Sequence, residues 1–410
     1  MIRALYRKAR KVLHIERDDS ILRGILDGSR AFTGPDIVQF DITNRCNNNC
    51  LCCWSNSPLL GKPSDEVEKW KRQEIPFDMV AGTIRELKRM GTSMLFFAGG
   101  GEPFMHPRIL DILTCAKKCG MRIFINTNFT RIDEEMAREI AALKVDLIHV
   151  SLHAGNAQTY ARVHPNKNKE TFYRIQEVLE YLMRERKLRG QESPTPFPHV
   201  DLYYVIFNEN YRDIRDMVDF AAEIRANSLE FMPVDVIPGK TDSLLLTDAQ
   251  RKEVIEEVKA QKLRLDEFNK REGGIVTFIE QYDSFISRMS AESAVRGGYE
   301  AHTVTAQPCY AGWAFARILA NGNVNPCLKA HRISVGNIYE QPFGKIWNGA
   351  EQREFRRKSF ALDGKDDYFR LIGNDEQSRF GCLNSCDNIQ INVDMHGKFS
   401  RELRRRGRIP

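Results

Sequence analysis

No stretch of this 410-residue chain approaches the ~18 consecutive apolar residues of a membrane-spanning helix, so no transmembrane segment is expected. The N-terminus, MIRALYRKARKVLHIERDD, has basic residues but no continuous apolar core and no small-residue cleavage site. It is not a secretory signal, and a cytoplasmic protein is expected. A strong charge of one sign is also missing. The 61 basic and 55 acidic side chains leave +6, which permits an anionic substrate but gives no reason to expect nucleic acid. With 27 glycines and 16 prolines, the chain is too poor in both for a fibrous or wholly disordered protein.

What is present is an ordinary globular mixture, 42% hydrophobic and 28% charged. At one domain per roughly 100–200 residues, it is long enough for two or three. Its ten cysteines are the unusual term, because they are grouped. Cys46, Cys50, Cys52 and Cys53 lie together, Cys115 and Cys119 form a pair, and Cys309, Cys327, Cys382 and Cys386 belong to the last quarter. Without a secretory segment, soft-metal sites explain this grouping better than disulfides.

Ile2, Leu5, Ala9, Val12 and Leu13 approximate the apolar face of an N-terminal helix within residues 1–35. Such a helix packs on the main domain or lies on a membrane surface. From residue 37 a βα rhythm begins. Apolar runs predict strands over 37–43, 94–99, 121–127, 146–152, 200–207 and 228–234. Helical spacing predicts helices over 77–90, 107–119, 133–143, 169–189 and 211–225. The alternation argues an α/β fold with parallel strands, and periodicity alone leaves barrel and open sheet both open. After Pro238 come helical segments over 247–272 and 278–291, then from 305 a stretch rich in Gly, Asn and Cys, as in a small metal-supported domain. The final SRELRRRGRIP reads as a basic tail, solvated or touching a phosphate or acidic partner.

The first cysteine group is Cys46-Asn-Asn-Asn-Cys50-Leu-Cys52-Cys53-Trp54, directly after a strand. Three thiolates spaced CxxxCxxC can hold three irons of a cubane and leave the fourth open to a ligand. A zinc knuckle is the plainer alternative. The spacing, on the loop after a first strand, resembles the radical S-adenosylmethionine (SAM) superfamily. That resemblance implies a [4Fe–4S] cluster on Cys46, Cys50 and Cys53, with SAM on its open iron. It implies reductive cleavage of SAM to a 5′-deoxyadenosyl radical that abstracts hydrogen from substrate, and a reductase- or flavodoxin-type electron donor. It also implies a partial (β/α)6 TIM-like barrel. Trp54 takes the aromatic position near the adenine. Cys52 lies outside the ligand register, as a structural thiol or a substrate-side hydrogen donor.

Gly100-Gly101-Glu102-Pro103 follows the second strand and matches the family's GGEP motif, whose backbone and acidic residue orient the methionine amino group. Glycines let a backbone approach a ligand, and a carboxylate suits an ammonium. Asn126 and Asn128 end the third strand, Ser151 and His153 the fourth, and Asn208 the fifth. Polar residues at these carboxyl ends face the usual ligand side of such folds. The resemblance gives them ribose, carboxylate and substrate contacts. Phe129 stands where the family often has Gly, and His153 where it often has Asp or Asn. His153 is a candidate acid/base or a structural hydrogen bonder. Met232 and Pro233 line the adenine side or the core, and Cys115 and Cys119 share a helix face as core thiols.

Cys309, Cys327, Cys382 and Cys386 are enough to ligate every iron of one cubane, or one structural zinc. The GxxxxC ending at Cys327, Val335-Gly336-Asn337-Ile338 and Ile346-Trp347 resemble the SPASM/twitch extensions of radical SAM enzymes. A full SPASM domain has seven cysteines, so this chain is expected to hold one auxiliary [4Fe–4S] cluster. The expected organisation is an N-terminal helical extension (1–35), a radical SAM core (36–238), a helical connection (239–304), a small SPASM/twitch-like iron–sulfur domain (305–392) and a basic tail (393–410).

Two substrate classes fit such a chain. One is a small molecule of sugar, cyclitol or nucleotide type, dehydrogenated or epimerised with the auxiliary cluster as electron acceptor. The other is a ribosomally made peptide that is crosslinked, epimerised or oxidised. No separate peptide-recognition domain is apparent, and His153, Tyr160, Arg162 and His164 read as an exposed polar set. These features favour the small molecule.

Overall fold

The computed structural model describes residues 14–190, 196–273, 276–299, 304, 306–373, 382 and 386–409. The apolar set from Ile2 to Leu13 lies outside the described residues. In chain order the first elements are α1 (His14–Asp27), β1 (Ile37–Phe40), α2 (Asp65–Lys71), α3 (Phe77–Arg89), β2 (Met94–Phe97), α4 (Ile109–Lys118) and β3 (Arg122–Thr127). Next come α5 (Glu134–Ala142), β4 (Leu147–Ser151), α6 (Ala157–Val163), α7 (Lys169–Arg189), β5 (His199–Ile206), α8 (Ile214–Glu223) and β6 (Ser228–Pro233). The rest are α9 (Asp248–Arg271), β7 (Phe278–Glu280), α10 (Tyr282–Ser290), α11 (Ala311–Ala314), β8 (Phe315–Ile318), β9 (Asn323–Asn325), β10 (Gly336–Asn337), α12 (Phe343–Trp347), α13 (Ala350–Ala361) and α14 (Ile389–Arg405). Two compact units result. A barrel unit gathers Phe40–Ala81 and Leu95–Glu300, and a second unit gathers the described parts of Met1–Gln39, Gly82–Met94 and Ala301–Pro410. Among the described residues no helix is long and apolar enough to cross a membrane.

In the barrel unit, β2 to β7 lie side by side in chain order, and β3 to β7 pair in parallel. Parallel neighbours need crossover connections, and the intervening helices supply them. Strand residues alternate between two faces. Ile123, Ile125, Ile148 and Val150 are fully buried on one. On the other, Phe96 stacks on Phe124 at 4.2 Å, Phe124 meets His149 edge-on at 4.4 Å, and His149 stacks on Tyr203 at 5.6 Å. This ring-lined face is the inner wall of a partial barrel. Asp133, Asn156 and Asn168 cap α5, α6 and α7 by accepting from the backbone N–H three residues on, which places each start.

The helix expected over 278–291 is instead strand β7 followed by α10. Three residues show too little periodicity to declare a strand, and pairing with β6, Ser228 against Phe278, decides the matter. Gln281 makes the switch in left-handed backbone, φ 50°.

In the second unit, β8–β9 and β9–β10 are antiparallel. Gly336 has φ +150°, and a Cβ there would meet Ile346 at 2.9 Å, so the Gly-Asn and Ile-Trp pairs are two sides of one contact. Glu86 of α3 accepts from the N–H groups of Phe343 (3.1 Å) and Gly344 (2.9 Å) and so caps α12. Residues 29–33 are held by long side chains from far along the chain. Trp313 Nε1 donates to Arg30 O (2.9 Å), Trp347 Nε1 to Thr33 O (2.9 Å), and Asn348 exchanges two bonds with Ala31. Arg356 is wholly buried; it donates to the carbonyls of Gly312, Ser29 and Trp347 and lies 4.6 Å over the Trp347 ring.

Where a basic tail is expected from 393, the structure has α14, with Phe399 and Leu403 buried in a cluster with Ile21, Ile25, Tyr310 and Trp313. Apolar residues at helical spacing outweigh the local run of arginines. Replacing Arg356 by Ala removes the side-chain donor to the Trp347 and Ser29 carbonyls, leaves Gly312 O with Gln352 Nε2 alone, and empties the space over Trp347. Urea denaturation followed by tryptophan fluorescence is expected to show a loss of about 3 kcal/mol or more.

Candidate functional site

Strand β2 ends in a turn that almost touches the chain leaving β1. Gly99 has φ +121°, and a Cβ there would fall 2.0 Å from Asp41 Cγ. A Cβ on Gly101 would fall 2.3 Å from the Arg45 carbonyl oxygen. Only glycine permits this approach. The Glu102 N–H then donates to Arg45 O at 2.8 Å, and Ser55 Oγ to Gly100 O at 3.2 Å. Pro103 opens a buried 3-10 turn.

Glu102 is the hub of this arrangement. Its Oε1 accepts from Phe104 N–H (3.0 Å) and Thr127 Oγ1 (2.8 Å), and its Oε2 from Asn128 N–H (2.7 Å). Burial pushes its carboxyl up to about 7, against the opposing pull of those donors. The side chain that resemblance assigns to the methionine amino group is therefore engaged in joining the ends of β2 and β3.

The asparagine run between the cysteines fixes the loop. Asn47 donates to Thr130 Oγ1 (2.8 Å) and accepts from Asn128 Nδ2 (3.0 Å). Asn128 Oδ1 in turn accepts from Thr130 N–H (3.0 Å) and Oγ1 (2.7 Å). Asn49 and Asn166 exchange bonds of 3.2 and 2.9 Å, and Leu51 N–H donates to Val163 O at 3.0 Å. Sulfur takes part too: Cys46 Sγ accepts from Asn48 N–H (3.5 Å) and Cys53 Sγ from Asn56 N–H (3.3 Å). Motif reading passes over the loop-holding bonds of Asn47 and Thr130, although three consecutive asparagines between cysteines are an available signal.

Burial pushes the Cys46 thiol up to about 12. Cys50 is raised well above its ordinary value by burial and then by the Cys52, Cys53 and Cys46 sulfurs, and Cys52 is raised by burial and then by Cys53. Thiols so placed stay protonated until a metal offsets the buried charge. Three soft sulfurs brought together on one loop fit an iron–sulfur group as donors.

At the strand ends, the Oδ1 atoms of Asn126 and Asn208 are buried and accept no hydrogen bond within the protein. Asn208 Nδ2 is held by Ser243 O at 2.5 Å. Ser151 closes β4 opposite Tyr203. Trp54 is 39% exposed and meets Trp70 edge-on at 5.9 Å.

His153 is buried, with its Nδ1 accepting from Val205 N–H at 3.1 Å and its ring stacked on His164 at 5.9 Å. Burial, then His164, pushes it down to about 3, so it is a neutral ring whose proton sits on Nε2. Tyr160 and His164 are buried as well, stacked at 4.2 Å. Arg162 donates to Glu209 O at 2.6 Å and pairs with its carboxylate at 3.6 Å. The polar set expected to be exposed is thus mostly interior: ring stacking buries these side chains, although Tyr160 Oη and His164 Nε2 find no hydrogen-bond partner. Cys115 and Cys119 are half-buried at the end of α4, and Met232 Sδ lies 3.1 Å from Arg288 Nη1.

In the second unit, Cys309, Cys327, Cys382 and Cys386 line one cavity, with Phe355, Phe369 and Ile389 among its apolar walls. Cys309 Sγ accepts from Asn392 Nδ2 at 3.6 Å, and Asn388 accepts from Leu328 N–H at 3.0 Å. Burial raises all four thiols, Cys327 to about 12, and neighbouring sulfurs further raise Cys327, Cys382 and Cys386. Four sulfurs around one apolar cavity fit a closed four-thiolate group.

Comparison with known proteins agrees with this geometry. The model of the Radical SAM superfamily matches residues 40–221, and that of the SPASM iron–sulfur cluster-binding domain matches residues 309–367. The chain belongs to the radical SAM superfamily. It is a radical SAM iron–sulfur enzyme with a C-terminal SPASM domain, and its α/β partial barrel is the radical SAM fold.

The tungsten-containing aldehyde ferredoxin oxidoreductase cofactor-modifying protein of Pyrococcus furiosus is 25% identical over 47% of this chain and 49% of its own, so this radical SAM chain spans about half of that relative. The AdoMet-dependent heme synthase of Methanosarcina barkeri is 25% identical over 81% of this chain and 87% of its own. The PqqA peptide cyclase of Streptomyces rochei is 22% identical over 77% and 76%. Among solved structures, anSMEcpe with bound AdoMet superposes with a TM-score of 0.57 at 16% identity, covering 92% of this chain and 96% of that one. Streptococcus suis SuiB bound to precursor peptide SuiA gives 0.55 at 17%, covering 79% and 67%.

Replacing Glu102 by Gln sets an amide N–H against one of the donors that now converge on the carboxylate. A loss of about 1–3 kcal/mol is expected in denaturant unfolding. An unchanged midpoint would show that Glu102 does not join the strand ends.

Proposed function

We propose that this radical SAM enzyme matures a ribosomally synthesised peptide, by crosslinking, epimerisation or oxidation. One observation carries the reading: a peptide cyclase matches over three quarters of both chains, through the barrel and into the SPASM region. The preference for a sugar, cyclitol or nucleotide drawn from sequence is given up. It leaned on polar residues that are buried or paired. A second reading, oxidation or epimerisation of a small molecule, retains the long match to the heme synthase in its favour.

In this proposal Cys46, Cys50 and Cys53 hold one [4Fe–4S] cluster, and Cys309, Cys327, Cys382 and Cys386 hold one auxiliary [4Fe–4S] cluster. Bound to the first, SAM supplies the 5′-deoxyadenosyl radical by which this family acts, with electrons from a reductase or flavodoxin-type donor. The chain's own residues do the positioning. Glu102 and Asn47 hold the loop and strand ends in register. Asn126 and Asn208 offer buried acceptors to SAM, with Ser151, Gly100, Gly101 and Trp54 around it. Cys52 stays a structural thiol. His153, with Nδ1 already occupied, keeps the β4–β5 connection in place.

Ala at Cys46, Cys50 or Cys53 is expected to remove one cluster's share of iron and sulfide and abolish 5′-deoxyadenosine formation from SAM with dithionite. Ala at Cys309, Cys327, Cys382 or Cys386 is expected to remove a second share, and an unchanged iron content there would reject the auxiliary assignment. Substrate class is read by anaerobic turnover with perdeuterated peptides encoded beside this gene. Deuterium appearing in 5′-deoxyadenosine supports the peptide reading. Transfer only from deuterated small molecules overturns it.

A further inference from the structure

The inner wall of the barrel carries a second set of metal-ligating side chains, none of them sulfur. His149 on β4, Asp201 on β5 and Glu230 on β6 lie on three successive strands. The register sets His149 opposite Asp201 and Asp201 opposite Ser228, so Glu230 is one step along the same face. One ligand atom from each residue lies within 4.8 Å of the other two. His149 Nε2 is 3.2 Å from Asp201 Oδ2. Two donors each ~2.1 Å from one ion at a tetrahedral angle stand ~3.4 Å apart, so this spacing suits a shared cation.

One oxygen of the cluster is left over by the hydrogen bonding around it. Asp201 is 1% exposed, yet its Oδ2 accepts no hydrogen bond. Its other oxygen, Oδ1, accepts from Ser228 Oγ at 2.5 Å. Glu230 is likewise steadied by a neutral donor, its Oε1 accepting from Gln281 Nε2 at 2.7 Å. Such donors to one oxygen of a carboxylate are the usual support given to metal ligands by their neighbours. Glu280 adds a third acidic group beside Glu230, and Arg288 is the cation that faces it. Arg288 offsets part of this acidic charge at Glu230, and a divalent ion among the three ligands would offset that of both buried carboxylates.

We propose that His149, Asp201 and Glu230 form a divalent-metal site on the inner wall of the barrel, separate from both cysteine groups. One nitrogen and two carboxylate oxygens suit an ion such as Zn²⁺, Mn²⁺, Fe²⁺ or Co²⁺, whereas iron–sulfur clusters take the thiolates. Three protein ligands leave at least one coordination position for water or another oxygen.

The test uses the anaerobically reconstituted, cluster-loaded protein, titrated with Co²⁺ and separately with Zn²⁺, then freed of unbound ion and analysed for metal. The expected result is one equivalent beyond the cluster iron, with the weak visible bands of nitrogen–oxygen-ligated Co²⁺ and without thiolate charge-transfer bands. His149→Ala and Glu230→Gln are each expected to weaken binding about 10–100-fold or more while iron and sulfide stay constant. Either variant decides alone if the other fails to fold. Absence of the extra equivalent, thiolate bands on Co²⁺, or unchanged affinity in a folded variant would overturn the proposal.

Discussion

The closeness of two backbones governs the barrel's working end. The turn after β2 lies so near the chain leaving β1 that neither Gly99 nor Gly101 has room for a side chain. From that contact follow the bond from Glu102 to Arg45 and the position of the Glu102 carboxylate beneath the end of β3. Asn128 is set by that carboxylate, Asn47 by Asn128, and the cysteines on either side of Asn47 by the loop it pins. Cysteine position is thus determined by a hydrogen-bonded chain rooted in the sheet.

Two environments for ionisable groups coexist in this unit. On the loop, buried sulfurs are neutral thiols whose ionisation awaits a metal. Around them, burial keeps His153 and His164 uncharged, and the positive charge that bears on Cys46 and Cys50 is that of Lys167. On the inner wall Asp201, Glu230 and Glu280 gather, and there burial and mutual repulsion raise the carboxyls of Asp201 and Glu230.

Much of the barrel was legible because its strands are apolar runs separated by capped helices, and both signals are local. Strand β7 was not, since three residues become a strand only through β6. The cysteine spacings and the Gly-Gly-Glu-Pro turn were legible as motifs, but not the duty of Glu102, which depends on Thr127 and Asn128 arriving from another strand. His153, Tyr160 and His164 were misjudged as exposed for a related reason. Composition marks them polar, while ring stacking and a single backbone partner each suffice to bury them. The α14 helix was hidden by arginines that sit beside its apolar stripe without interrupting it.

Beyond local contacts from Arg23 and Asp27, residues 29–33 are held by side chains 283 to 327 residues later in the chain. Protein synthesis proceeds at roughly 5–20 residues per second, so this segment leaves the ribosome about 15–60 s before Trp313, Trp347 and Arg356 exist. The barrel residues between are made in that interval and draw their parallel strand partners from 122–280, a continuous length of chain. Birth order and folding order therefore diverge: residues 29–33 wait longer for these partners than the barrel strands wait for theirs.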